Sequence, residues 1–250
     1  MIISQDRSII PACDVGAEHH EALLKATADL AGIGAYKIGF ALSLSIGLPR
    51  AVQIARRYTH KPLIYDHQKA GSDIPDTGRV FARICKEAGI DSVILFPHAG
   101  PETQRAWIDY ARNEDLHVIV GGLMTHPKFV RSEGGYIADE AIIELYERSA
   151  ALGVTDYVVP GNNPVAISKI RAMLERERVH QVVFYSPGLV AQGGALREAM
   201  EAAGERYHAI VGRGIYAAPD MRKAAVDLCE QLEEASSESM NDVDTVSVDE

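Results

Sequence analysis

The stretch Tyr65–Gly78, YDHQKAGSDIPDTG, sets Asp66, Lys69 and Asp73 within eight residues. It follows the apolar run KPLI, which reads as the end of a buried strand. Opposite charges held side by side favour each other's ionised form. Charges fixed before a reaction also stabilise charge that moves during it, with little reorganisation. A solvated salt-bridge network, or an ion-pair set closing a dimer, would use the same residue types, so the spacing alone leaves these roles open.

Two further stretches could hold an anion. Ser186–Gly194 reads SPGLVAQGG and Val211–Tyr216 reads VGRGIY. Glycines let backbone N–H groups approach a phosphate closely, and a helix start adds its positive dipole end. Arg213 can supply a forked, charge-assisted pair to phosphate oxygens. Tight strand-to-helix turns would explain one such loop. Two in succession with an arginine predict a phosphate site at Gly193, Gly212 and Arg213.

The elements that must position these groups recur along the chain. SIIPAC from Ser8, AYKIGF from Ala35, KPLIY from Lys61 and DSVILF from Asp91 read as four strands. HVIVGG from His117, DYVVPG from Asp156, QVVFYS from Gln181 and HAIVGR from His208 read as four more. Most are short and apolar on consecutive positions, the pattern of parallel strands covered on both faces. Helical patterns lie between them, as in GRVFARICKEAG and ETQRAWIDYARNE. NPVAISKIRAMLERE adds Asn163 ahead of Pro164, a sound helix start. Strands alternating with helices eight times predict a (β/α)8 TIM barrel, with a doubly wound open sheet as its rival. No Pro-, Gly- or Ser-rich linker divides the chain, so residues 1–234 are expected to form a single barrel domain. In a barrel, chemistry sits at the C-terminal strand ends. Asp14, Lys37, Asp66, Lys69, Asp73, Thr125, Gln192 and Arg213 all close a strand or lie in the loop just beyond one.

Composition narrows the function classes. The 250 residues are 47% hydrophobic, enough for a substantial core. Net charge is −10, but seven of the 35 acids lie in the last twenty residues, which carry no Lys or Arg. The remaining 28 acids against 25 bases leave a near-neutral body, which argues against a nucleic-acid footprint. Residues 235–250 are expected to be a disordered acidic tail. No apolar run reaches the roughly 18 residues of a membrane span, and the N-terminus lacks a secretory pattern. A cytoplasmic location and no membrane partner are expected. Cys13, Cys85 and Cys229 show no ligand or CxxC spacing and read as buried thiols. His98, after the fourth strand, could line a pocket, and THPKFVRSEGGYIADE is either a lid or an ordered connector.

DHQKAGSDIPDTG, GGLMTHP, SPGLVAQGG and VGRGIY together resemble orotidine 5′-phosphate decarboxylase. The resemblance runs in order from Asp14 to Tyr216 and into the last helix. It implies a barrel enzyme that turns orotidine 5′-phosphate into UMP and CO2 in de novo pyrimidine biosynthesis, with no metal and no cofactor. It implies Asp14 on the ribose, and Lys37, Asp66, Lys69 and Asp73 as an alternating catalytic network with Lys69 as proton donor. Thr125, where the family usually has serine, would touch the pyrimidine. Gln192 would bridge phosphate and base, and Arg213 would hold phosphate. Asp73, Ile74 and Thr77 would reach the neighbouring site of a homodimer. One departure stands out: the family's Asp-x-Lys-x-x-Asp is here Asp66-x-x-Lys69-x-x-x-Asp73. A strand alternates faces at every residue, so a bulge or an early strand end is needed to keep Lys69 on Asp66's side. Three rivals remain: an Mg²⁺-dependent sugar-phosphate decarboxylase or hexulose-phosphate synthase, a Schiff-base aldolase using Lys37 or Lys69, and a non-catalytic nucleotide-binding protein.

Overall fold

A computed structural model of the chain describes residues 2–67, 71–189 and 193–245, without side chains at 193–194 and 238–245. Eight parallel strands close into a barrel in sequence order. They are β1 (Arg7–Cys13), β2 (Tyr36–Gly39), β3 (Leu63–Asp66), β4 (Ser92–Leu95), β5 (His117–Gly121), β6 (Asp156–Val158), β7 (Val183–Ser186) and β8 (Tyr207–Val211). β1 pairs with both β2 and β8, which closes the ring and removes the open-sheet alternative.

Helices pack outside this ring. They are α1 (Ala17–Thr27), α2 (Phe40–Ile46), α3 (Leu48–Ala55), α4 (Thr77–Glu87), α5 (Pro101–Asn113), α6 (Asp139–Ala151), α7 (Pro164–Arg176), α8 (Gly193–Ala203), α9 (Arg213–Tyr216) and α10 (Met221–Thr245). The expected start of α7 is present: Asn163 Oδ1 accepts from Ala166 N at 3.0 Å, with Pro164 in the first turn. Between β2 and β3 the single crossover helix of a simple repeat is broken in two at Gly47, whose φ is +82°.

Two apolar layers follow from the strand alternation. Ile10, Ile64, Ile94, Ile119, Val158, Tyr185 and Ile210 fill the barrel interior. Ile38, Leu63, Val93, Val118 and Tyr207 pack outward against the helices. Burial on both faces explains the near-continuous apolar strands. All three cysteines are free and buried. Among the described residues no helix is long and apolar enough to cross a membrane.

The expected end of the folded body at Glu234 falls inside α10, which runs on to Thr245. Ala235 is buried, and Ser236 Oγ bonds back to Leu232 O at 2.6 Å. Once started, a helix gains one backbone hydrogen bond per added residue, so it does not stop where apolar residues thin out.

Candidate functional site

At the C-terminal mouth of the barrel lies a cavity of about 310 Å³. Lys37 enters it from β2. Its register partners are Ala12 on β1 and Ile64 on β3, both in the inner layer, so Lys37 shares the inward face. Asp66 lies two residues beyond Ile64, on the same face one layer nearer the mouth. Lys37 Nζ sits 3.0 Å from Asp66 Oδ2 and 3.1 Å from Asp14 Oδ2. The lysine side chain is 5% exposed. Burial lowers its pKa, but the two carboxylates, Asp66 foremost, outweigh burial and raise the pKa above the ordinary lysine value. The ammonium is therefore charged at neutral pH and held by two acids.

Asp14 reaches this position only because Gly39 has no side chain. A Cβ on Gly39 would fall 1.5 Å from Asp14 Oδ1. Sequence reasoning passed over Gly39, since nothing local marks the approach of a residue from β1.

The loops after β7 and β8 supply the rest of the rim through Pro187, Gly188, Leu189, Gly212, Arg213 and Gly214. Gly188 has a φ of +88° and packs against Thr125, where a Cβ would meet Thr125 Cγ2 at 2.8 Å. Thr125 itself lines the cavity, on the loop after β5. Ile94, Phe96, Met124, Val158 and Ile210 form an apolar floor. Strand alternation could have located these floor residues from sequence, but only once the inward face was fixed. The whole arrangement can seat a flat apolar ring over the floor, offer Arg213 to an anion, and present a fixed ammonium between two carboxylates.

Of the expected site residues, the structure brings Asp14, Lys37, Asp66, Thr125, Gly212 and Arg213 to one cavity. Gly193 begins α8, just beyond the loop after β7. Lys69 and Gln192 lie outside the described residues. Asp73 and Thr77 do not line this chain's cavity. Asp73 is exposed; its Oδ1 accepts from Ile74 N at 2.7 Å and its carbonyl from Thr103 Oγ1 at 2.8 Å. Thr77 Oγ1 donates to Ile74 O at 2.8 Å. His67 turns outward, with its ring against Tyr65 and Phe81. His98 does not line this cavity; its Nε2 lies 2.9 Å from Gly122 O. The segment after Thr125 is knit by the 3-10 turn Arg131–Glu133 and a bond from Arg131 N to Ile137 O at 2.7 Å, which makes it an ordered connector.

Comparison with known proteins gives one consistent result. A sequence model of the Orotidine 5′-phosphate decarboxylase / HUMPS family matches residues 8–228. The orotidine 5′-phosphate decarboxylase of Methanosarcina mazei is 31% identical over 92% of this chain and 97% of its own. That of Pyrococcus abyssi is 32% identical over 78% of this chain and 85% of its own. Among solved structures, orotidine 5′-monophosphate decarboxylase from Methanocaldococcus jannaschii, complexed with the inhibitor BMP, superposes with a TM-score of 0.77 at 25% identity. That match covers 90% of this chain and 98% of the other. The enzyme from Pyrococcus horikoshii OT3 gives 0.75 at 27% identity, covering 90% and 99%.

Proposed function

The chain belongs to the Orotidine 5′-phosphate decarboxylase / HUMPS family, and on that premise we propose that it is a carboxy-lyase converting orotidine 5′-phosphate to UMP and CO2. The observation that carries this reading is Lys37, a charged and buried ammonium clamped by Asp14 and Asp66 at the edge of a cavity rimmed by glycine loops and Arg213. In the reaction the ring-to-carboxylate bond breaks and its electron pair stays on the ring carbon. A fixed ammonium stabilises that pair and then donates the proton. We assign the donation to Lys69. Lys37 orients Asp14 toward the ribose and Asp66 toward the departing carboxylate. Arg213 and the backbone of Gly193 and Gly212 take the phosphate, Gln192 bridges it to the base, and Thr125 faces the pyrimidine.

A second copy of the chain completes the site in this proposal. Asp73 and Thr77 lie away from their own cavity, beside exposed Ile74, Val80 and Ile84, which are 61%, 47% and 48% exposed. Such a row of apolar side chains marks a docking face, and a homodimer through it would carry Asp73 and Thr77 to the neighbouring site.

The test is loss of orotidine 5′-phosphate absorbance, followed with and without EDTA. The expected result is chelator-insensitive decarboxylation, abolished by Lys69→Ala and with KM raised tenfold or more by Arg213→Ala. Activity on sugar phosphates that needs Mg²⁺ would sink the proposal. So would Lys69→Ala keeping more than about a tenth of kcat, because losing a general acid commonly costs 10²–10⁴-fold.

A further inference from the structure

The loop leaving β5 carries Leu123, Met124 and Thr125 along the cavity wall. Side chains outside the cavity fix it. Tyr146 on α6 is wholly buried. Its hydroxyl accepts from Gly122 N at 3.0 Å and Leu123 N at 3.2 Å, and donates to Val158 O at 2.8 Å. One phenol thus ties the end of β5 to the end of β6, with Leu123 and Val158 both on the cavity wall. Asn162, exposed on the loop after β6, donates from Nδ2 to Thr125 O at 3.1 Å. Together they hold the loop at its root and near its tip. Gly188, from the loop after β7, packs onto the Thr125 methyl group.

We propose that Tyr146, assisted by Asn162, is a positioning residue for the wall that faces the ring of a nucleoside monophosphate, which rests on the nucleotide reading above. Two backbone N–H groups that have left the strand ladder would lose their acceptor without the Tyr146 hydroxyl. A buried donor so stranded is costly, and the loop escapes that cost by moving. The phosphate grip, on other loops, does not depend on this hydroxyl.

A plain core tyrosine would give a loss of stability and nothing more. Tyr157 provides that control. It is equally buried, and its hydroxyl donates to Val154 O at 2.6 Å, at the opposite end of β6 from the mouth.

The experiment titrates UMP and, separately, inorganic phosphate into the wild-type protein and three variants by calorimetry. Tyr146→Phe is expected to raise the UMP Kd about tenfold, the scale of one stranded buried donor, and to leave the phosphate Kd unchanged. Tyr157→Phe is expected to lower Tm while keeping the wild-type UMP Kd. Asn162→Ala, a surface change, is expected to raise the UMP Kd about threefold, matching one neutral hydrogen bond. Wild-type UMP affinity in Tyr146→Phe, or equal losses in Tyr146→Phe and Tyr157→Phe, would overturn the proposal. If Tyr146→Phe does not fold, Asn162→Ala decides, and an unchanged UMP Kd there overturns it. Turnover is not the readout. A wild-type protein that binds UMP but does not decarboxylate would refute the decarboxylase assignment and leave this result intact.

Discussion

Replacing Lys37 with methionine keeps most of its length and removes its charge. The consequence follows from burial. Lys37, Asp66 and Asp14 side chains are 5%, 14% and 28% exposed. Deleting one partner of a buried ion pair typically costs about 3–5 kcal/mol, because the other charge stays buried without compensation. Asp14 retains enough solvent contact to relax, while Asp66 has little. The lower end, about 3 kcal/mol, is therefore expected for Lys37→Met. For a chain of this size that is a fall in Tm of about 6–12 °C.

The double variant separates the charge argument from simple loss of packing. Asp66→Asn alone leaves Lys37 paired with Asp14 and should cost about 1–2 kcal/mol. In Lys37→Met/Asp66→Asn the stranded charge is gone, so the combined loss should fall short of the sum by at least about 1 kcal/mol. Urea unfolding at pH 7, read by two probes to check two-state behaviour, measures all three. Decarboxylation should be lost in every variant, the double one included. If Lys37→Met costs less than about 1 kcal/mol, as an exposed pair would, and the two changes simply add, then the ammonium is not held as described and the reasoning fails.

Two further outcomes are expected. Gly188→Ala forces a side chain onto a backbone at φ +88° and into Thr125 Cγ2; stability should fall by the strain of roughly 1–2 kcal/mol, the displaced rim should lower kcat/KM by about tenfold, and wild-type kinetics would refute the contact. Burial lowers the His208 pKa to about 4, against an opposing pull from Asp156 and Asp6 and a reinforcing push from Arg206. The unfolded chain then binds the extra proton between pH 6.5 and 4, so this stability is fully present above pH 6.5 and lost as pH falls toward 4, to the extent of about 3 kcal/mol. Urea unfolding of wild type and His208→Gln across that range should show the variant's slope to be shallower; parallel curves would refute the assignment.

Much of the fold is legible because parallel strands covered on both faces must be apolar on consecutive residues, and these eight are. QVVFYS and HAIVGR, for example, fall on β7 and β8. The site is legible as a set of strand-end polar residues, since Asp14, Lys37, Asp66 and Arg213 do meet. Their geometry is not legible. Asp14 and Lys37 are 23 residues apart, and their contact depends on β1–β2 register and on Gly39 leaving space. Tyr146 could not be found either: it sits in a helix whose sequence shows only an ordinary apolar stripe, and its hydroxyl reaches backbone groups 23 and 24 residues away. The helix break at Gly47 and the run of α10 past Glu234 were missed because each depends on local backbone continuity, which apolar periodicity does not report.

The barrel buries polar side chains at both ends, and the cavity decides what they mean. At the floor, His208 Nδ1 lies 2.8 Å from Ser8 Oγ, and Tyr185 donates to Asp156 Oδ1 at 2.9 Å, while Asp156 and His208 are 1% and 0% exposed. Neither bond involves a residue lining the mouth cavity, so their satisfaction serves the fold, and disturbing them should move unfolding curves without moving KM. At the mouth, Lys37 is almost as buried but faces open volume on one side. A buried ion pair adds little to stability compared with apolar packing of the same size. The Asp14–Lys37–Asp66 cluster is therefore better explained by the field it fixes for a ligand than by any gain to the fold. That is why the Lys37→Met/Asp66→Asn protein should lose less stability in urea than its two single changes added together, and still do no chemistry.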